Sequence, residues 1–463
     1  MKNKYVTIFI LSPIALNFVY NQVTELNNSL ESLRNLFIKF FTTVLLFLII
    51  YFIGKAIDNV IQLNSITISI IVYIMTFYVI NYYLMYFLKN FSTRNIFVIY
   101  NIFLFLILMI KSKSSMKLIS YSVLLFIFMN ITLEQFNFYD VLIFTDPITT
   151  DEIKMWIPRS IVISNENIYE IYNQQIGGGT RSFGLLTHFT FVFLEYIFHF
   201  SNGYIFSQVI SNVIFLLFSY FVFENFKYNF YTLSGYLTIV FLFLTSDWFA
   251  YFMVNSHLGE TFSNFYFGAL FYYLIKSKTN ITQYTIVLFY LSNLIYTKRF
   301  ILVLVFISLV HLIYQNREKL LLKFCVVLSS FFPIVINYFL LDVPLLWVVE
   351  NEPTNVIMYE GSTNNFSSIV NIIKQFLIDK PVSYFVFITS LLIIYNLRKL
   401  YDFEIIAISL LALNTGFVFS YFVFISTLNN SWGDTYRYLL NPIYILFYIF
   451  LGLLNKTSNN RNI

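Results

Sequence analysis

The feature that most constrains this chain is a series of long apolar runs that recur along almost its whole length. A helix needs roughly 20 mainly apolar residues to cross the hydrocarbon core of a bilayer. Runs that approach this length fall near residues 5–20, 37–54, 66–88, 95–110, 118–133, 204–223, 231–250, 262–275, 283–297, 300–314, 320–341, 382–397, 404–425 and 438–454. The pattern predicts an all-α polytopic membrane protein with about 12–14 transmembrane helices.

Composition excludes the main soluble classes. Of the 463 residues, 59% are hydrophobic and 11% are charged, whereas soluble domains carry about 25% charged residues. The chain is therefore neither a soluble enzyme, a nucleic-acid-binding protein nor a disordered chain. Its one cysteine, Cys325, excludes a disulfide framework and a cysteine-based metal site.

Lysines and arginines in the short loops predict the orientation. They cluster at residues 2–4, 111–117, 276–278, 317–323, 398–399 and 456–461. If the apolar stretch 183–200 does not cross the membrane, all of these loops and both termini lie in the cytoplasm. That stretch contains His188, Glu195 and His199, and a charge at the bilayer centre costs about 2.5–3.5 kcal/mol. We therefore predict an interfacial or re-entrant helix there, and a retained anchor at 5–20.

This topology divides the chain into five parts. Transmembrane helices at 1–133 precede a large outward loop at 134–203, which contains the candidate acids described below and is expected to form short interfacial helices. Central transmembrane helices at 204–341, a second outward loop at 342–381, and C-terminal helices with a short cytoplasmic tail at 382–463 follow. Since loops on a rigid scaffold carry function, we expect the site on the outer face.

The first outward loop contains two adjacent acids, Asp151 and Glu152. A carboxylate near the membrane boundary has a raised pKa and could serve as a general base. The alternative is a solvated helix start, in which Thr149 or Thr150 caps the helix and the acids oppose its dipole. Further along, three glycines precede Arg181, which favours either a phosphate cradle or a flexible hinge.

Three further outward positions hold candidate residues. His257 and Glu260 are three residues apart, so one helix face could present both to a divalent cation such as Mg²⁺ or Mn²⁺, but two ligands do not make a site. No metal site and no cofactor is assigned. Lys298 and Arg299 lie between two apolar runs, which indicates either an anionic partner or a different topology. Arg437 could bind a lipid phosphate or simply snorkel to the interface.

Together these residues resemble the GT-C superfamily of polytopic glycosyltransferases, especially bacterial proteins similar to dolichyl-phosphate-mannose protein mannosyltransferases. The family form Asp-x4-Trp-x-Pro-Arg is matched by Asp151, Trp156, Pro158 and Arg159. The family's Thr-Lys step before a span is matched at 297–298. Its Arg-Tyr-x-x-x-Pro start of a late span is matched by Arg437 and Tyr438, with a proline at 442. Its Gly-Tyr-Ala-Asp-like corner is matched only loosely, at 258–260. The family's Tyr-Pro-Pro step is replaced by residues 181–184, which contain no proline.

The resemblance implies a GT-C-like fold and transfer of a sugar from a polyprenyl-phosphate donor to a glycan, lipid or protein acceptor. Asp151 would then be the base of an inverting mechanism, and Lys298, Arg299, Arg437 and Arg181 would bind the donor phosphate. It also implies a multi-pass protein of a bacterial or archaeal plasma membrane that acts in cell-envelope polysaccharide biosynthesis, with membrane lipids but no nucleic acid as partners.

Three alternatives remain open from the sequence. An O-antigen-type polymerase or ligase shares the long outward loop and lipid-linked substrates but is expected to use paired outward arginines. A transporter or flippase of lipid-linked glycans needs charged residues inside the spans, and Glu195 and Asp247 are close to apolar runs. A family member without activity is the third.

Overall fold

The computed structural model of the chain describes a set of separate segments that together form a helical bundle. These are residues 29–138, 142, 157–168, 170, 185–198, 208–226, 230–245, 259–276, 280–296, 305–306, 308–313, 319–335, 385, 388–389, 391 and 443–459. Within these segments the chain forms helices joined by turns, which confirms the all-α class.

We number the helices in chain order. They are α1 (Ser29–Ile61), α2 (Ile66–Tyr83), α3 (Met85–Leu88), α4 (Thr93–Lys111), α5 (Lys113–Gln135), α6 (Ile157–Asn165), α7 (Leu186–Phe198), α8 (Gln208–Asn225), α9 (Phe230–Thr245), α10 (Gly259–Lys276), α11 (Ile281–Asn293), α12 (Leu320–Ser329) and α13 (Ile443–Asn459). A short 3-10 turn, Leu294–Tyr296, extends α11.

Four helices of the described chain are long and apolar enough to cross a membrane. They are Phe37–Ile61 within α1, and α2, α4 and α5. Their length and composition are those of membrane-spanning helices, so we treat the chain as a membrane protein. On α4 and α5 the face turned away from the bundle carries exposed Ile, Leu, Phe and Met side chains, as expected where helices meet lipid.

The helices follow the apolar runs closely, with one informative difference. Each of α1, α2, α4, α5 and α8–α13 lies on a predicted run. The run 66–88 contains a break at Leu84, where the backbone leaves helical geometry and divides α2 from α3. Apolar periodicity does not detect such a break, because both sides of it are equally apolar.

Asparagine side chains inside the helices donate hydrogen bonds to carbonyl oxygens of their own helix. The amides of Asn81, Asn101 and Asn130 donate to the carbonyl oxygens of Phe77, Phe97 and Phe126, in each case four residues earlier. Where water is absent, such bonds avoid the cost of an unsatisfied polar group. Asparagine is therefore compatible with these apolar helices.

Hydrogen bonds between connections define two opposite ends of the bundle. At one end, which we call the Glu224 end, the α1–α2 turn meets the last turns of α8 and α10 and the start of α11. At the other end, which we call the α6 end, the backbone amide of Thr93 donates to the carbonyl of Glu166 (2.7 Å). The side-chain amide of Asn167 donates to the backbone carbonyl of Lys89 (2.7 Å). Tyr83 reaches Asn293 and Ser329 at this second end.

The Glu224 end is held by one partly buried carboxylate. Glu224 accepts hydrogen bonds from the amide of Ile66 (2.6 Å), the amide of Thr67 (3.2 Å) and the hydroxyl of Ser65 (2.9 Å). Ser65 in turn accepts from the amide of Ile68 (3.3 Å). The first three amides of α2, which have no partner within the helix, are thus all satisfied, and the negative charge opposes the helix dipole favourably.

Gly54 determines how closely α1 and α2 approach. A methyl group at this position would lie 2.3 Å from Cγ1 of Ile70 and 3.2 Å from the carbonyl oxygen of Ile66. The side chain of Ile70 on α2 therefore packs directly against the backbone of α1 at Gly54, in space that any larger residue would occupy. Gly452, on α13, is a contrasting case, since a methyl group there would meet its nearest atom, on Phe226, only at 3.9 Å.

Gly54→Ala should destabilise the protein by about 1–3 kcal/mol, because the new methyl group overpacks the α1–α2 contact. Gly452→Ala is the matched control: it should leave stability unchanged or raise it by up to about 1 kcal/mol through helix propensity. Thermal unfolding of the two purified variants in detergent measures both effects. Equal melting temperatures for the two variants would contradict the close α1–α2 packing.

Candidate functional site at the α6 end

The short helix α7 lies inside the bundle. It has 13 residues, all of them buried, and is about 20 Å long at 1.5 Å per residue, against a hydrocarbon core of about 30 Å. Its rings pack on α2: Phe193 lies 4.8 Å from Tyr73 and Phe189 lies 5.7 Å from Tyr78, between ring centroids. The structure describes only residues 185–198 of the stretch 183–200, so its path relative to the membrane stays a prediction; within these residues the protein itself encloses the helix.

Two ionisable side chains of α7 are completely buried. His188 and Glu195 each have 0% exposure, and their spacing of seven residues, two helical turns, places both on the same side of the helix. Burying such groups costs free energy unless they are paired or neutral, and ionisable residues at membrane depth are generally functional. They make α7 the first candidate element of a site.

Helix α6 brings two more buried polar residues to α7. The hydroxyl of Ser160 lies 3.1 Å from Nδ1 of His188, a hydrogen bond whose direction depends on the histidine tautomer. Arg159, the preceding residue, is 1% exposed and is among the largest fully buried side chains. A buried guanidinium stays charged at neutral pH, so it gives this end of the bundle a fixed positive charge.

A second pair of contacts joins α6, α7 and α4. The phenol of Tyr196 donates to the carbonyl oxygen of Ser164 (2.7 Å), and Cζ of Arg94 lies 5.9 Å from the centroid of the Tyr196 ring. Burial raises the pKa of the Tyr196 phenol, an effect that Ser164 and Arg94 partly offset. The phenol therefore remains protonated at neutral pH and keeps its role as a donor.

We call six residues the α6–α7 cluster: Arg94, Ser160, His188 and Tyr196, which make these contacts, and Arg159 and Glu195, which are buried on the same two short helices, next to Ser160 and Tyr196 in the sequence. It combines two guanidinium groups, a histidine and a carboxyl group at one end of a membrane bundle. Chemically it can bind an anionic group, through the arginines, and position a polar ligand next to them. In the described residues no group of three or more His, Cys, Asp or Glu side chains could hold a metal ion.

The structure describes only part of the predicted site. Arg159 lies in the α6–α7 cluster, and Glu260 lies in the first turn of α10. The other candidate residues lie outside the described residues: Asp151, Glu152, Trp156, Arg181, His257, Lys298, Arg299, Arg437 and Tyr438. Their roles stay predictions.

Sequence analysis did not select Arg94, Ser160 or Tyr196 and did not assign His188 or Glu195 to the site. The seven-residue spacing of His188 and Glu195 in an otherwise apolar run is a signal that could have identified the buried face. The contact between Ser160 and His188 joins residues 28 positions apart, and nothing in the sequence indicates it.

Comparison of the sequence with protein-family models finds no match, and comparisons with curated proteins and with solved structures find none either.

Ser160→Ala should destabilise the protein by about 1–3 kcal/mol, because it removes a hydrogen bond from a fully buried histidine nitrogen. Ser120→Ala is the control, since Ser120 bonds only to the carbonyl of Met116 on its own exposed helix face. Chemical or thermal unfolding in detergent measures the difference. A Ser160→Ala protein as stable as Ser120→Ala would show that the α6–α7 hydrogen bond contributes nothing.

Proposed function

We propose that the protein is a membrane glycosyltransferase of the GT-C type, which transfers a sugar from a polyprenyl-phosphate donor to an acceptor at the α6 end of the bundle. One observation carries the proposal. Arg159, the last residue of the Asp-x4-Trp-x-Pro-Arg form, is a fully buried cation on α6, next in sequence to Ser160, which contacts the buried His188 of α7. Burial of a charged guanidinium costs free energy, so an arginine retained in such a place suits an enzyme whose substrate is a phosphate ester.

The distribution of lysines supports an outward location for this end. Exposed lysines of the described chain concentrate at the Glu224 end: Lys55, Lys111, Lys113, Lys117, Lys276 and Lys319. The α6 end has Lys89 and Arg34 exposed, while Arg159 is buried. Since cytoplasmic loops carry the excess of lysine and arginine, the Glu224 end would face the cytoplasm and the α6 end the outside of a bacterial or archaeal plasma membrane.

The chemistry would use an acid and several cations. The acceptor hydroxyl attacks the anomeric carbon while its proton passes to the carboxylate of Asp151, and the bond from that carbon to the donor phosphate oxygen breaks. Attack from the face opposite the phosphate inverts the anomeric centre. The departing phosphate needs positive charge more than a proton, for which Lys298, Arg299, Arg437 and Arg181 are the proposed groups. Glu152 is the neighbouring acid that could share the role of base.

The full architecture proposed is that of a GT-C enzyme with about 12–14 transmembrane helices. Helices α6 and α7 fall within the segment 134–203, which we proposed as the large outward loop with short helices. The acceptor, a glycan, a lipid or a protein, would approach from the outer face, where this segment lies.

Asp151→Asn should abolish sugar transfer, because an amide cannot accept the acceptor proton, while the protein remains in the membrane at its normal level. The assay follows the labelled sugar from a panel of polyprenyl-phosphate hexoses into the acceptor fraction of membranes that contain the protein. Asp146→Asn, an equivalent change five residues earlier in the same loop, is the control and should retain transfer. Full activity of Asp151→Asn would remove Asp151 as the base.

A transporter or flippase of lipid-linked glycans is the second candidate, and one observation favours it. Glu195 and His188 are fully buried inside the bundle, where transport pathways place ionisable residues. In reconstituted vesicles this alternative predicts movement of a labelled polyprenyl-phosphate sugar between leaflets, which Glu195→Gln would abolish and Asp151→Asn would not affect. The glycosyltransferase hypothesis instead predicts that Asp151→Asn abolishes sugar transfer and that Glu195→Gln does not.

A further inference from the structure

An apolar cavity of about 270 Å³ lies among α1, α2, α4, α5 and α7. The polar groups in its wall are engaged with one another or with the backbone: the phenol of Tyr73 donates to Asn101, and the hydroxyl of Ser122 donates to the carbonyl of Ile49 (3.2 Å). Dry apolar cavities of about 150 Å³ already bind benzene. The space is therefore suited to a segment of hydrocarbon rather than to water or a polar ligand.

The cavity opens toward the bilayer. Two of its lining residues are exposed, Ile102 on α4 (53%) and Val123 on α5 (37%). Both helices are among the four that are long and apolar enough to cross the membrane, so the opening between them faces hydrocarbon. A lipid chain can enter from the side without passing through water.

The cavity is also connected to a cation of the α6–α7 cluster. Phe97 and Ile197 line it, and the ring of Phe97 lies 5.1 Å from that of Tyr196. Arg94, three residues before Phe97 on the same helix, lies 5.9 Å from the centroid of the same Tyr196 ring. The apolar space and a partly exposed guanidinium therefore lie within one helical turn of each other, an arrangement that matches a ligand with a hydrocarbon chain and a phosphate at its end.

We propose that this cavity holds the part of a polyprenyl-phosphate chain nearest the phosphate, with the phosphate at Arg94. The choice of a polyprenyl lipid rests on the proposed function, whereas the location rests on the cavity, its opening and Arg94. The proposal assigns donor binding to α4, α5 and α7, in addition to the predicted cations at residues 298, 299 and 437.

Photolabelling of the full-length protein in vesicles with a diazirine-bearing polyprenyl phosphate tests the proposal. Crosslinks should map to segments 97–105 and 122–126. Val98→Phe, which fills the cavity from α4, should lower labelling at least fivefold, whereas Ile99→Phe should not, because Ile99 is 44% exposed and does not line the cavity. Val123→Phe and its lipid-facing neighbour Leu124→Phe repeat the comparison from α5, so that the test survives if one filled variant fails to fold.

Two comparison lipids complete the test. A diazirine-bearing polyprenol without phosphate should label at least threefold less, and a diazirine-bearing phosphatidylglycerol should not label these segments. Crosslinks elsewhere, equal labelling of filled and control variants, or equal labelling by either comparison lipid would overturn the proposal. No step of this assay requires sugar transfer. The labelling therefore tests the cavity assignment alone, whereas the transfer assay with Asp151→Asn tests the proposed function.

Discussion

The structure depends on the need to satisfy every backbone amide where water is absent. The clearest case is the start of α2, where Glu224 on a distant helix accepts the hydrogen bonds of the first two amides and orients Ser65 for the third. The turn that precedes α2 is tight, with Gln62 and Asn64 in the left-handed region. Tyr273 donates to the carbonyl of Leu63 in the same turn (2.6 Å). Four helices are thereby fixed to one connection, and loss of these bonds would leave buried amide donors unsatisfied at a cost of about 1–3 kcal/mol per group.

The fixed Glu224 end leaves the opposite end free to build a site. Because α1 and α2 pack closely at Gly54 and their connection is bonded to α8, α10 and α11 at the Glu224 end, the space at the α6 end is defined by rigid helices. Helix α7 fills that space with aromatic rings and brings His188 and Glu195 into it. Arg159 and Ser160 then close the cluster from α6. Preorganised charge of this kind is what an enzyme that acts on a phosphate ester requires.

Much of this fold could be predicted from the sequence, and the reason is physical. A helix that meets lipid must be apolar over most of its length, so the runs at 37–54, 95–110 and 118–133 identify α1, α4 and α5 directly. The expectation that 183–200 does not cross came from the cost of burying Glu195; the structure shows that Glu195 is fully buried within the protein, and the topology of this stretch stays a prediction. The break at Leu84 and the extension of α1 back to Ser29 were not predictable, because they depend on packing between helices.

The candidate site was predictable only in part. Arg159 was selected through its place in a short motif, but its burial depends on how the helices pack. The pairing of Ser160 with His188 and the place of Arg94 beside Tyr196 are contacts between distant parts of the chain, which composition and spacing do not record. Such contacts are the part of a membrane protein that apolar periodicity leaves undetermined.

The most direct test of the account is which side of the membrane each end of the bundle faces. In a Cys325→Ser background, Asn165→Cys places an accessible thiol at the α6 end and Lys113→Cys places one at the Glu224 end; both positions are exposed. Intact cells are treated with a membrane-impermeant maleimide. The account predicts that position 165 is labelled from outside and that position 113 is labelled only after the cells are opened. The reverse pattern would place the α6–α7 cluster in the cytoplasm and contradict transfer of a sugar on the outer face.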